Sequence, residues 1–404
     1  MTSSSSIQAS HSKQRIRIAV FAFFIAQGLC FASFFSRLPD IKAHFGIDDI
    51  SHLGYLLSLI PIGKFLAIPT VGFMLSRFQS KVTTTISLLG FIISLFILGT
   101  TNNIYLLGII LFIFGMFWNM TDISLNTQAI EVERIYDKPI IAAFHASWSI
   151  SACIGALIGY LMINLNIVPA YHFSMIAVLC VVIVISNFRY LREAEPVLKE
   201  PIVDKKVKTS KFKMVDMLLI QLGVIWLLAL IIENTMFDWS DIYFQSVIKA
   251  PKSLQIGFLV FMVMMSVGRL LINAAYRIWS KNTVLIVAGS CIFAGFFTSS
   301  ILINYVDGIT AKVVVNSLGF MLIGLGISCI VPTLYSIVGE KATIPVGTAL
   351  TIMSSISFIG PLVAPSLVGF VSKHFGMDIA YLLISIFGLC IVAMVVFSKT
   401  LRKK

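Results

Sequence analysis

The sequence predicts an all-α integral membrane protein, with twelve transmembrane helices in two pseudo-symmetric six-helix bundles. Three observations carry that expectation. Of 404 residues, 58% are hydrophobic and only 12% charged, where a soluble domain has about a quarter charged residues. Apolar runs of about 20 residues, enough to cross a bilayer as a helix, recur from Ile16 to Val396. A charged, proline-punctuated stretch divides those runs six and six.

In order, the runs read as 16–36, 53–75, 82–100, 104–128, 140–162 and 168–188, then 214–236, 254–274, 284–303, 313–338, 346–371 and 379–397. Residues 1–15 are a polar, Ser-rich cytoplasmic tail ending in basic residues. The run behind it is too long for the apolar core of a cleaved signal, so it is read as a retained helix. The chain thus divides into the tail 1–15, an N-terminal bundle 16–188, a cytoplasmic linker 189–213, a C-terminal bundle 214–397 and a cytoplasmic tail 398–404. The linker holds Lys199, Lys205, Lys206, Lys208, Lys211 and Lys213 and reads as a solvated loop near anionic headgroups.

A net charge of +12 could suggest nucleic acid, but its placement points to topology. With the N-terminus inside, short inner segments hold Lys13, Arg15, Arg17, Arg77, Lys81, Arg134, Lys138, Arg277, Lys281, Lys341 and the stretch Lys399 through Lys404. Outer segments hold only Arg37, Lys42, Lys249, Lys252, Lys312 and Lys373. This positive-inside bias places both termini in the cytoplasm, in a bacterial inner (plasma) membrane. The expected partners are the lipid bilayer, a small-molecule substrate and a proton, with no nucleic acid, and the protein is expected to be a monomer. The six cysteines all lie in apolar runs without paired spacing and read as small packing residues, not metal ligands or disulfides. Neither a phosphate-binding glycine loop nor a His-Glu-x-x-His zinc motif occurs, so no enzyme, metal or cofactor is expected.

The halves echo each other. Arg77-Phe-Gln-Ser80-Lys81 follows the second run, and Arg277-Ile-Trp-Ser280-Lys281 follows the eighth. Asp40-Ile41 closes the first run as Asp241-Ile242 closes the seventh. The shared half-chain offset indicates a duplicated six-helix unit.

With the segments SRLPDIKAHFGI, TDISLNTQAIEVER, FHASWSISACIGALIG and ENTMFDWSDIYF followed by IGFLVFMVMMSVGRLL, nearly the whole chain resembles the major facilitator superfamily. Within it, the chain resembles the fucose-permease-like and rhizopine-transport (MosC-like) bacterial branches. The resemblance implies a secondary active transporter working by alternating access. It departs from the superfamily pattern after the second run, where Ser76 stands in place of an aspartate, and Asn273 replaces the matching acid in the second half. The charged cytoplasmic lock of the family is therefore expected to be weaker or built differently. The fifth run has Gly155-x-x-x-Gly159 without an adjoining proline, which leads away from drug efflux.

The fourth run contains an acid. A carboxylate at the bilayer centre costs about 2.5–3.5 kcal/mol on insertion scales, so it faces an interior and reads as functional. At 3.6 residues per turn, Gly108, Gly115, Asn119, Asp122 and Asn126 share one narrow face, and Ile110, Phe112, Phe114 and Phe117 take the others. A carboxylic acid withdrawn from water titrates nearer neutrality, which suits a proton carrier. Asp122 is read as the proton-coupling residue, with a purely structural carboxylate as the alternative. The resemblance adds that Asp122 matches the helix-four glutamate of fucose permeases, Asn126 the asparagine just after it, and Asp40 the aspartate ending their first helix.

Substrate-binding candidates are Asn119, Asn126, Gln27, Lys64, His145, Trp148, Glu233 and Trp239. Lys64 either neutralises Asp122, attracts an anionic substrate, or snorkels to the headgroups. His145 and Trp148 are nearly on one face of the fifth run, and His145 is a proton relay or a polar cap. Trp239 matches an aromatic of fucose permeases and offers a stacking face, or lies in the interfacial belt. Gln27 serves a ligand or an interhelical bond. Arg269 is expected to pair at the cytoplasmic end of the eighth helix. Gly360-Pro361 and Pro365 are expected to kink the eleventh. The leading function is proton-coupled uptake of a sugar or sugar-like metabolite, with proton-coupled efflux second and a non-transporting sensor third.

Overall fold

In the computed structural model, which describes residues 13–136, 140–193, 217–342 and 344–402, the apolar runs are helices. They are α1 (Lys13–Phe35), a short α2 (Leu38–His44), α3 (Ile50–Thr100), α4 (Ile104–Tyr136), α5 (Ile141–Asn164), α6 (Pro169–Asn187), α7 (Met217–Ser246), α8 (Gly257–Ile278), α9 (Lys281–Ser300), α10 (Ile309–Lys341), α11 (Val346–Ser357), α12 (Ile359–Phe375) and α13 (Met377–Phe397). No strand occurs among the described residues. The linker residues 194–213, the first 12 residues of the tail, Lys138 and the last two residues lie outside them.

Two features reconcile these helices with the expected spans. The backbone of α3 leaves helical geometry at Gln79 (φ 64°, ψ 163°), between the runs 53–75 and 82–100, so this one continuous stretch holds two spans. Only glycine enters that region without strain. The eleventh run is split into α11 and α12. Pro361 has no N–H to give the Ser357 carbonyl, and its ring crowds that oxygen. The kink expected from Gly360-Pro361 therefore falls where α11 ends. Among the described residues, eleven helical stretches are long and apolar enough to cross a membrane, and the Gln79 break makes two of the longest.

The chain forms two compact units: Met1–Phe34 with Leu59–Lys205, and Phe35–Ser58 with Lys206–Lys404. In the first unit the outward faces of α4 and α6 are apolar, with Tyr105, Ile109, Val178 and Ile185 all more than half exposed, as lipid contact requires. The ends are tied by a neutral amide. Gln128, fully buried on α4, donates through Nε2 to Ser80 Oγ (2.6 Å) and to the Arg192 carbonyl (2.8 Å), and its Oε1 accepts from the Arg192 N–H (2.9 Å). Lys81 pairs with Glu193 at 3.1 Å. Ser76, which replaces the family's aspartate, only returns its hydroxyl to the Phe73 carbonyl. One amide thus joins α3, α4 and the chain after α6. Gln128→Ala is expected to destabilise the protein by about 2–3 kcal/mol, since it leaves buried partners unsatisfied. A drop in the thermal midpoint of the purified protein measures this.

The second unit is fastened by polar ends. The Asp241 carboxylate of α7 accepts from the Phe258 N–H at 2.8 Å and so caps the first turn of α8, whose N-cap Ile256 has no side chain to do it. The start of α3 lies against α12, with the Ser58 and Ser366 hydroxyls 2.7 Å apart. Just before α3, Asp49 accepts from Lys373 Nζ at 2.6 Å and from Ser51. Those donors hold its carboxyl well below the usual carboxylate range. In the first unit Lys81 pairs with Glu193, and here Lys281, at the matching repeat position, pairs with Glu340 on α10. Ser280 caps α9 by accepting from the Thr283 N–H.

Candidate functional site in the first unit

Two glycines bring α3 and α4 close. A Cβ on Gly63 would lie 2.0 Å from the Phe112 carbonyl oxygen, and one on Gly115 would lie 2.0 Å from that of Ile60. Only backbone fits there, the small-residue contact that membrane helices favour. The next residue after Gly63 is Lys64, and one turn after Gly115 is Asn119. Asn119 Nδ2 donates to the Lys64 carbonyl at 2.7 Å, which fixes the lysine's root against α4.

The Lys64 side chain turns inward. Its ammonium lies 3.5 Å from the centroid of the Trp118 ring, a cation–π contact that strengthens as water is excluded. Trp118 is itself 7% exposed. The Trp118 ring that Lys64 contacts stands one turn along α4 from Asp122. From α1, Gln27 (1% exposed) donates its Nε2 to Asp122 Oδ1. Amide, carboxylate, ammonium and indole thus form one cluster from three helices.

An aromatic wall continues it. Phe24, Gln27 and Phe31 lie on one face of α1. Phe31 meets Trp118 at 5.0 Å and Trp148 of α5 at 5.1 Å between centroids. Phe24 meets His145 edge-on at 5.4 Å. Trp148 is half-buried and His145 exposed. Six of the expected residues therefore share this region: Gln27, Lys64, Asn119, Asp122, His145 and Trp148. Asn126 is beside them but spends its Nδ2 on the Asp122 carbonyl at 2.8 Å, so it shapes the helix rather than presenting that group. Trp118 and Phe31 were not anticipated. Their signal was spacing, four residues from Asp122 and from Gln27 respectively.

The three candidates in the second unit are placed differently. Asp40 stands in the first turn of α2 and pairs with the buried Arg37 at 2.6 Å, which gives it a structural partner. Trp239 is fully buried, so its ring presents no open stacking face in this structure. Glu233 pairs with Arg269 at 3.5 Å. That contact also corrects Arg269, which lies well inside α8 rather than at its cytoplasmic end.

The family model described as the Major Facilitator Superfamily matches residues 20–345. The chain belongs to this superfamily. An uncharacterised major-facilitator-type transporter of Yersinia pestis is 25% identical over 363 residues, 89% of each chain. Membrane protein MosC of Rhizobium meliloti is 22% identical over 386 residues, 95% of this chain and 90% of that protein. Among solved structures, a D-xylose–proton symporter superposes with a TM-score of 0.78 at 14% identity, over 98% of this chain and all of the other. Nucleoside transporter NupG gives 0.69 at 13% identity, over 97% and 99%. This major facilitator protein is a multi-pass membrane transporter with the superfamily's all-helical fold.

Proposed function

We propose that this transporter takes up a small polar, sugar-like solute together with a proton, and that Asp122 binds the proton. The observation that carries this reading is the Asp122 carboxylate held inside a membrane span by the Gln27 amide, one turn of α4 from the Trp118 ring on which the Lys64 ammonium lies. A group so placed changes its charge only when a proton reaches it. The half-buried indole of Trp148, backed by Phe31, suits the C–H surface of a hydroxylated ring, as aromatic side chains combine apolar area with defined geometry. Basic residues at alternate segment ends support an inner membrane location with both termini in the cytoplasm, and the chain is read as a monomer.

The test is transport by purified protein in proteoliposomes, using a solute that stabilises it in a thermal-shift screen. An inward acid gradient is expected to drive accumulation in the wild type. Asp122→Asn is expected to fold and to retain solute counterflow but to lose gradient-driven accumulation. Full accumulation by that variant would falsify the proton-binding role. Expulsion instead of accumulation would replace uptake with proton-coupled efflux.

A further inference from the structure

We infer that the basic ends of α1 and α6 form a docking site for an anionic phospholipid, whose phosphodiester is received by Arg189 and Arg15 around the Tyr190 ring. The inference stands apart from the proton and the solute and concerns what the bilayer itself supplies.

The two helices run side by side. Cys30 Sγ of α1 lies 3.7 Å from Cys180 Sγ of α6, and at the basic ends Arg15 Nη1 donates to the Tyr190 hydroxyl at 3.2 Å. Tyr190 gathers two cations. The guanidinium carbon of Arg15 lies 5.7 Å from its ring centroid, and that of Arg189 lies 4.8 Å from it. Both arginines are exposed. Two like charges held on one ring repel, and the repulsion grows where the dielectric falls below that of water. An anion beside them turns that cost into attraction. A ring contact uses none of the five N–H donors of a guanidinium, and its planar fork matches the paired oxygens of a phosphate. Glu193, the nearest acid along the chain, is already paired with Lys81 at 3.1 Å.

Position selects a lipid over a free anion. Arg15 directly precedes the first apolar run, 16–36, and Arg189 directly follows the sixth, 168–188. Both therefore stand where hydrocarbon gives way to headgroups. Further into the span, Ile18 of α1 and Val182 and Ile185 of α6 are each at least half exposed. Ile185 and Val182 come one and two turns before Arg189, the spacing of a single helix face, and offer acyl chains an apolar track leading up to the charges. The opposite side of α1 is occupied by α4. There Lys13 Nζ donates to the Ile135 carbonyl at 3.2 Å, and the Arg17 guanidinium lies 5.1 Å from the Tyr136 ring centroid. Those two cations tie α1 to α4 and serve as controls.

The experiment titrates the purified full chain in detergent with phosphatidylglycerol or with phosphatidylcholine of the same acyl chains. Native mass spectrometry counts the bound lipid, and thermal midpoints are measured in parallel. Phosphatidylglycerol is expected to bind more tightly and to raise the midpoint further. Arg189→Gln is expected to weaken it about fivefold, and the double change with Arg15→Gln about thirtyfold, with phosphatidylcholine unaffected. Tyr190→Ala removes no charge, yet it is expected to lose much of the preference, which diffuse attraction to a basic surface would not do. Arg17→Gln and Lys13→Gln are expected to weaken it far less than Arg189→Gln. Equal binding of the two lipids overturns the inference. So does a preference that Tyr190→Ala leaves whole, or that Arg17→Gln reduces as much as Arg189→Gln, since the attraction then belongs to the whole basic rim. Inorganic phosphate that displaces phosphatidylglycerol at equal concentration would mean an aqueous anion site and overturn the lipid. Both arginines are exposed, so their variants are expected to fold, and if Tyr190→Ala does not, the comparison of Arg189→Gln with Arg17→Gln decides.

Discussion

Valine in place of Gly115 is expected to abolish transport and to reduce sharply the yield of folded protein. The added Cβ would sit 2.0 Å from the Ile60 carbonyl oxygen and 2.7 Å from its carbon, both backbone atoms. No rotamer change relieves a clash with backbone, so α3 and α4 must move apart. Overpacking costs about 1–3 kcal/mol where side chains can yield, and more where they cannot. Separation also breaks the Asn119–Lys64 bond one turn away and withdraws the ammonium from Trp118. Gly115→Ala is expected to show a milder form of the same defect. Gly72, also on α3, is the control: a Cβ there meets nothing within 4 Å, so Gly72→Ala is expected to be neutral or slightly stabilising, as alanine favours helix. Size-exclusion profiles and thermal midpoints in detergent measure both. Wild-type stability for Gly115→Val would mean that the helices do not cross at these glycines.

The glycine contact also marks where sequence reading reaches its limit. Span length and hydropathy sufficed for the helices, because the bilayer imposes one length scale on every crossing. The turn between the second and third runs was legible too, and it survives as the single non-helical residue Gln79. The face of α4 carrying Asn119 and Asp122 followed from helical periodicity alone. What periodicity cannot say is which other helix meets that face. Gln27 and Lys64 were candidates for several roles, and only tertiary packing joins Gln27 to Asp122 and Lys64 to Trp118 one turn away.

Residue chemistry misled most where one side chain serves two ends. Tryptophan packs as well as it stacks, and the wheel gave no reason to prefer Trp118 over Trp239. In the structure Trp118 carries the cation and Trp239 is sealed in the core. Phe114, on a face of α4 suited to lipid or packing, is a packing residue, fully buried against Phe34 and Phe91. Asp122 reads as a coupling acid from its place in a span, and Asp40 as a second one from resemblance alone. Their local partners differ in kind: Asp40 has a buried arginine three residues away, whereas Asp122 has an amide from another helix. Ser76 showed that the charged turn after the second run is altered, but nothing in the pattern pointed to the buried Gln128 amide that binds Ser80 and Arg192 beside it.

The Glu233–Arg269 pair leads to the other large effect. Arg269 Nη2 lies 3.5 Å from Glu233 Oε1, with the side chains 32% and 17% exposed, and Met265 Sδ contacts the same guanidinium nitrogen. Both residues are well inside their spans. Removing one partner of a buried pair typically costs about 3–5 kcal/mol, because the other charge is stranded. The contact is long and partly exposed, so about 2–3 kcal/mol is expected here for either Arg269→Leu or Glu233→Leu. The double variant strands no charge and is expected to recover most of that loss, with a coupling energy of about 2 kcal/mol in a double-mutant cycle. Additive penalties would show that the two charges do not act as a pair. Unfolding in mixed micelles with increasing SDS provides the scale. Transport by the recovered double variant then separates two roles for Glu233. A pair that only holds α7 to α8 leaves uptake intact once stability returns. A pair that meets the solute leaves a folded protein that binds and moves it poorly, which would bring Glu233 back among the binding residues together with Arg269.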